Sequence, residues 1–182
     1  MSIGRRNGLL EALASYRASG PDDEAVLRRL LAFLDEPDPF RRSHSVGHVT
    51  ASAVVARPTG DHFLLVFHRK LDRWLQPGGH VEADDDSVFA AALREAREET
   101  GIPRFESPIG DSILDLDVHA IPAHGNEPAH FHYDVRFLLT TGDACVPSPG
   151  AVWCSLVEVG AADRDGSLAR ATLKAALRLA AR

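Results

Sequence analysis

The sequence predicts an α/β fold in which a short helical segment precedes a larger domain of strands and helices. Two patterns lead to this prediction. Residues 1–45 carry helical periodicity, in which apolar residues recur every three or four positions. Residues 46–182 instead begin with strand-like runs, continue through one amphipathic helix into further strands, and close with a helix. We therefore expect an N-terminal helical extension over 1–45 and a main domain over 46–182.

The extension is expected to hold two helices, over residues 8–18 and 23–35. A Gly-Pro pair separates them, and two prolines follow the second one. The extension contains seven arginines and seven acidic residues, so it has no basic face suited to DNA. We expect a helical cap that packs on the main domain.

In the main domain, strands are expected where residues alternate between apolar and polar or where β-branched and aromatic residues gather. The expected strands are 49–56, 63–68, 113–119, 131–139 and 152–156, and a terminal helix is expected over 168–181. A turn at 58–61 should join the first two strands. The eleven residues 120–130 could join the third and fourth as an antiparallel pair.

The central helix has recognisable ends. Asp86 or Ser87 can cap its first turn, and Gly101 can end it in a left-handed turn. Val88, Phe89 and the apolar residues that follow at helical spacing mark its buried side.

Three carboxylates crowd one side of this helix, namely Glu95, Glu98 and Glu99. Like charges at this spacing repel by roughly 0.2–0.5 kcal/mol per pair on an isolated helix, so a bound cation is the simplest reason to keep them together. Oxygen ligands of this kind favour Mg²⁺ or Mn²⁺ over zinc. The alternative is a solvated acidic helix face, which is what most charge runs are.

Residues 79–102 resemble the Nudix box, whose pattern is G-x5-E-x7-R-E-U-x-E-E-x-G-U with U aliphatic. The match is complete from Arg94 to Ile102 if alanine is accepted at the first aliphatic position. Upstream, Gly79 fits only if the loop is one residue longer than the standard box. The first carboxylate of the pattern is then Asp85 or Asp86.

The resemblance implies an α/β/α sandwich with a mixed sheet and a metal-dependent hydrolase that cleaves a diphosphate bond, a diphosphatase or pyrophosphohydrolase. Its substrate would be a nucleoside diphosphate linked to another moiety. Because the box recognises the diphosphate, nucleotide sugars, ADP-ribose-like compounds, dinucleotides and damaged nucleoside triphosphates all stay open. Two other functions also stay open: a nucleotide-binding sensor module on a Nudix scaffold, and an enzyme like the isopentenyl diphosphate isomerases.

The resemblance also assigns roles to residues. The metal, Mg²⁺ or Mn²⁺, would be held by Glu95, Glu98 and Glu99. Glu95, Glu98 and Arg94 would form the catalytic group, in which Arg94 braces the glutamates. Gly79 would border the substrate. The general base is left open between a carboxylate of the box and a loop residue outside it, for which Glu127 is the candidate.

Alternation along residues 131–139 places His132, Asp134 and Arg136 on one face and aromatic residues on the other. The matching face of 113–119 is polar as well. We expect these polar faces to line the substrate cleft, with His132 and Arg136 contacting substrate and Arg136 binding phosphate. The alternative for Arg136 is a salt bridge with one of the nearby aspartates.

Four histidines fall within fourteen residues: His119, His124, His130 and His132. A zinc site is conceivable there because a His-x-His sequence on a strand places both rings on one face. The simpler interpretation is that these histidines face substrate or lie on the surface.

Composition narrows the class of protein. Charged residues make up 25 % and hydrophobic residues 45 % of 182, and the net charge of −6 disfavours a nucleic-acid-binding surface. No apolar run reaches membrane-spanning length, and the first residues lack the apolar core of a signal peptide. We therefore expect a cytoplasmic enzyme with a small-molecule diphosphate partner and no nucleic-acid or membrane partner. A homodimer is one open option.

Overall fold

The computed structural model describes residues 2–69, 71–125, 127–142 and 148–182. Its helices and strands are α1 (Ser2–Ser15), α2 (Pro21–Phe33), β1 (Gly47–Ala56), β2 (His62–His68), β3 (Arg73–Leu75), β4 (Gly78–His80), α3 (Val88–Thr100), β5 (Ile113–Ile121), β6 (His130–Thr140), β7 (Ala151–Ser155), α4 (Leu156–Ala162) and α5 (Ser167–Ala180). Within these ranges, no helix combines the length and the apolar character needed to cross a membrane.

The strands form one mixed sheet in the order β3-β2-β1-β6-β5, with β4 paired to β1 and β7 paired to β2. β1 and β6 run parallel along their whole length, and the other pairs are antiparallel. The two expected antiparallel pairs, β1 with β2 and β5 with β6, are confirmed. β1 forks at one edge, because its end pairs with β2 while its middle, at Thr50 to Ser52, pairs with β4.

Helices cover both faces of this sheet. Alternate β1 residues such as Ala51 and Ala53 pack with α1, α2 and α3, whereas Val54 and Ala56 pack with α4 and α5. The extension is part of the first layer, because the Phe33 ring of α2 stacks on Tyr133 of β6 at 3.9 Å between ring centres. The expected α/β/α sandwich with a mixed sheet is confirmed.

Several elements differ from the expectation. The short strands β3 and β4 lie outside the five expected strands. α1 begins at Ser2, earlier than residue 8. The last strand ends at Ser155, where the unpredicted helix α4 begins. The signal for α4 is a capping box, in which the Ser155 hydroxyl accepts from the Glu158 N–H and the Glu158 carboxylate accepts from the Ser155 N–H at 2.7 Å.

Candidate active site

The central helix α3 is fixed at both ends by its own sequence. The Ser87 hydroxyl accepts a hydrogen bond from the Ala90 N–H at 3.0 Å, so Ser87 rather than Asp86 is the cap. Gly101 adopts the left-handed conformation, with φ of 70°, and its N–H donates to the Arg97 carbonyl. Ala92 and Ala96 are fully buried against the sheet, which turns the glutamates of the helix away from the core.

The short strand β4 lies against these glutamates and explains the Gly-Gly pair. The Gly78 N–H donates to Glu99 Oε2 at 2.9 Å. A Cβ atom on Gly79 would lie 2.5 Å from Glu95 Oε1, and one on Gly78 would collide with the Ser52 hydroxyl. Each glycine is therefore required for a different reason. A side chain at Gly78 would collide with the sheet, and a side chain at Gly79 would collide with a carboxylate of the helix.

Arg94 ties the loop to the helix. Its guanidinium donates to both carboxylate oxygens of Asp85 at 3.1 and 3.0 Å, to Glu95 at 2.9 Å and to Glu98 at 3.3 Å. It also donates to the His80 carbonyl at 2.9 Å. The hydrogen bonds that Arg94 donates to Asp85 and to Glu95 outweigh its burial and raise the pKa of Arg94 well above its usual range. Arg94 is therefore a permanent cation that positions the carboxylates around it.

Asp85 takes the loop position for which the sequence left two candidates. Its side chain is 7 % exposed and bonds Arg94, whereas Asp86 is exposed. Burial alone would raise the pKa of the Asp85 carboxyl, but the hydrogen bonds from Arg94 and the Glu82 N–H outweigh it and lower that pKa. Asp85 is thus a carboxylate that holds Arg94 in place.

The charge balance of the cluster suits a divalent cation. Burial raises the pKa of Glu95 and of Glu99, and repulsion from neighbouring glutamates adds to the rise in both. Arg94 offsets part of this for Glu95, and Glu99 receives one backbone N–H. The donor set is all oxygen, which fits Mg²⁺ or Mn²⁺. The structure therefore brings together the sequence-selected Gly79, Arg94, Glu95, Glu98 and Glu99.

Arg136 lies elsewhere, in a buried ion-pair network. Its side chain is 3 % exposed and bonds Asp115 at 3.1 Å, Asp117 at 3.3 Å and Asp134 at 3.0 Å. The physical reason is that α5 covers this part of the polar sheet face, and Arg170 of α5 bonds Asp115 and Asp117 as well. The geometry therefore does not present Arg136 to a phosphate. It supports the salt-bridge alternative, buried rather than on the surface.

His132 belongs to a group of histidine rings next to β4. A cavity of about 490 Å³ is lined by His48, His80, His130 and His132, with arginines and Glu127 at its rim. Sequence reasoning did not single out His48 or His80, since their proximity to His132 depends on strand pairing. His119 Nδ1 donates to the Asp117 carboxylate at 2.9 Å, and His124 is exposed in the loop.

Glu127, the candidate base outside the box, is exposed at the rim of this cavity. Its carboxylate bonds Arg42 at 2.8 Å. None of the carboxylates of the box lines the cavity, so Glu127 faces the histidines rather than the box glutamates.

Comparison with known proteins identifies the family. The NUDIX domain model matches residues 46–174. An Ap4A hydrolase from C. elegans shares 22 % identity over 69 % of this chain and 93 % of its own, with a TM-score of 0.52. A NUDIX-family hydrolase from Clostridium perfringens shares 27 % identity over 71 % of this chain and 97 % of its own, with a TM-score of 0.50. The dihydroneopterin triphosphate pyrophosphohydrolase of E. coli shares 17 % identity over 71 % of this chain and 94 % of its own, with a TM-score of 0.57.

The comparison with curated proteins gave no significant match. The family model covers the sheet, the box helix and most of α5, and the similar solved structures share the fold. The chain belongs to the Nudix family of hydrolases, which act on phosphoric anhydride bonds.

Proposed function

We propose that this protein is a divalent-metal-dependent hydrolase that cleaves the diphosphate bond of a nucleoside diphosphate linked to another moiety. The observation that carries the proposal is the grouping of Glu95, Glu98 and Glu99, of which Arg94 bonds the first two and the Gly78 N–H bonds the third. The named relatives act on Ap4A and dihydroneopterin triphosphate. Because their identity to this chain is 22 % and 17 %, they support the fold and leave the second moiety of the substrate to experiment.

The box glutamates (Glu95, Glu98 and Glu99) would hold Mg²⁺ or Mn²⁺. When bound, such an ion neutralises phosphate charge and makes the attacking water more acidic. The absence of a side chain at Gly79 lets the Glu95 carboxylate lie directly against the backbone of β4.

The remaining steps use the chain's own groups. Arg94 fixes Glu95 and Glu98, and the Gly78 N–H orients Glu99. A water oxygen attacks phosphorus, the bond from that phosphorus to the bridging oxygen breaks, and the leaving phosphate keeps the bond's electron pair. Glu98, whose side chain is 60 % exposed, accepts the proton that the water loses.

The alternatives find less support. A sensor module would not need the complete set of box glutamates and their arginine. An isomerase-like site would need a cysteine near the box. Cys154 lies on β7 and packs with the α4 and α5 layer, on the face opposite α3. Cys145 lies outside the described residues. A cytoplasmic location stays a prediction.

The test is a screen of the purified chain against dinucleoside polyphosphates, nucleotide sugars, ADP-ribose-like compounds and nucleoside triphosphates. We expect hydrolysis of at least one class with Mg²⁺, loss of it in EDTA, and its return with added Mg²⁺ or Mn²⁺. Glu98→Gln and Glu99→Gln should each lower kcat by about 100-fold or more while the fold is kept. Glu11→Gln, on the exposed side of α1, is the matched control.

Two results would contradict the proposal. Hydrolysis that survives exhaustive chelation would exclude the metal. Unchanged turnover in both glutamine variants would return the cluster to a solvated helix face.

A further inference from the structure

Three histidines converge beside the candidate active site, and we call them the histidine cluster: His48, His130 and His132. The parallel pairing of β1 and β6 sets His48 opposite His132, and His130 projects from the same face two residues earlier. One ring nitrogen from each residue lies within 4.8 Å of the other two. All three rings line the cavity of about 490 Å³ described above.

No hydrogen bond among the described residues accounts for the burial of the His48 ring. It is 1 % exposed, and among the described residues neither of its ring nitrogens has a hydrogen-bond partner. A buried polar group without a partner destabilises the folded state, and such groups are rare in native proteins. One water molecule could satisfy one nitrogen, but it would not explain why two further imidazoles approach the same point.

The hydrogen bonds of His130 fix the direction of its lone pair. Its Nδ1 lies 2.8 Å from the Pro128 carbonyl oxygen. A carbonyl only accepts, so Nδ1 carries the hydrogen and Nε2 of the neutral ring carries the lone pair. Metal-bound histidines in proteins commonly donate their other N–H to a backbone carbonyl in this way.

The spacing of two nitrogens matches a tetrahedral ion. His130 Nε2 and His132 Nε2 are 3.3 Å apart, a hydrogen-bond contact in which His132 donates and which a bound ion would replace. With Zn–N bonds of about 2.0–2.1 Å and a tetrahedral angle, two ligand nitrogens are separated by about 3.4 Å. One nitrogen of His48 lies within 4.8 Å of both and would complete a three-histidine set.

The surroundings of the cavity do not favour an anion. Arg42, a cationic side chain of its lining, is ion-paired with Glu127 at 2.8 Å.

We propose that the histidine cluster binds one divalent transition-metal ion, with zinc as the best match, and leaves the fourth coordination position open to the cavity. Nitrogen-only donors select zinc over magnesium, so this site differs in chemistry from the box glutamates. It also differs in place. None of the box glutamates lines the cavity that the three histidines share.

His80 connects the two sites. Its ring centre lies 4.8 Å from that of His48, its carbonyl accepts from Arg94, and it directly follows Gly79. The metal site itself does not depend on the proposed hydrolase activity.

The experiment titrates Zn²⁺ into the chelator-stripped full chain by calorimetry, in excess Mg²⁺ to occupy the box glutamates. Metal content is then measured by mass spectrometry. We expect one Zn²⁺ per chain, in the wild type and in Glu99→Gln. His130→Gln and His132→Gln should each weaken Zn²⁺ binding by more than about 100-fold. His124→Gln, which changes an exposed histidine between β5 and β6, should bind as the wild type does.

A second measurement uses only the wild-type chain, so it does not depend on whether the variants fold. Co²⁺ loaded into the wild-type chain should give the intense visible absorption of a four-coordinate site, in place of the weak bands of six-coordinate Co²⁺. Weak bands, absence of Zn²⁺ binding, or Zn²⁺ binding that both cluster variants retain would each overturn the proposal.

Discussion

The Arg136→Ala variant should have a lower free energy of unfolding than the wild type and an unchanged affinity for diphosphate. The guanidinium is the shared partner of Asp115, Asp117 and Asp134, whose side chains are 0, 13 and 3 % exposed. Arg136→Ala leaves these carboxylates in the same buried position with less compensating charge. Arg170 and Lys174 still bond Asp115, but the structure shows neither of them bonded to Asp134.

The expected magnitude follows from burial. Removing one partner of a buried ion pair costs about 3–5 kcal/mol, because the remaining charge stays out of water. For a chain of this size, 1 kcal/mol corresponds to about 2–4 °C, so the Tm should fall by about 6–20 °C. The matched control is Arg6→Ala. Arg6 pairs with Asp35 at 3.4 Å, but the two side chains are 32 and 91 % exposed, so the loss should be below about 1 kcal/mol.

The assay is denaturant unfolding of wild type, Arg136→Ala and Arg6→Ala, together with KM for whichever diphosphate compound the screen identifies. We expect a large loss of unfolding free energy in Arg136→Ala with an unchanged KM in the folded fraction. A raised KM, with a stability no lower than that of Arg6→Ala, would refute the reasoning. It would restore the phosphate contact that alternation along the strand first suggested.

Two further predictions concern the extension and the glycine pair. Burial alone would raise the pKa of Asp23, but hydrogen bonds, led by the one from Lys174, hold that pKa at about 2. The ionised Asp23 therefore stabilises the folded state above about pH 4, and this stabilisation is lost as the pH falls toward 2. Asp23→Asn should therefore be less stable than the wild type by about 2 kcal/mol at pH 7 and equally stable near pH 2, and a difference that does not vary with pH in denaturant titrations would contradict this. Gly79→Ala should displace the Glu95 carboxylate, which its Cβ would approach to 2.5 Å, and lower kcat at least about tenfold with little change in Tm. Gly160→Ala, whose Cβ meets nothing within 4 Å, is the control, and equal activity of the two variants would count against the assigned role of Gly79.

The box helix could be predicted from sequence because everything that defines it is local. Ser87, Gly101 and the glutamate spacing act within one or two helical turns, and the structure reproduces the cap, the stop and the cluster. The register of the loop was less certain, since two aspartates competed for one position. A tertiary contact, the pairing of Asp85 with Arg94, decides between them.

Strand alternation predicted which residues share a face but not what covers that face. Asp134 and Arg136 do lie opposite the aromatic side of β6, as expected. The α5 helix, which begins about thirty residues later, covers them and supplies the Ser167 carbonyl that Arg136 also donates to. The sequence pattern of a polar strand face is the same whether a cleft or a helix covers that face.

The same polar face therefore has two different halves, and hydrogen bonding separates them. Around Arg136 every charge meets an opposite charge, so the residues need no ligand to account for their burial. His48 is equally buried, but its ring nitrogens find no partner among the described residues and a cavity adjoins them. His48 reaches His132 only through parallel pairing across more than eighty residues, which no local pattern encodes. Buried polar groups that satisfy one another stabilise a fold, whereas a buried group left without a partner beside a cavity indicates where a ligand binds.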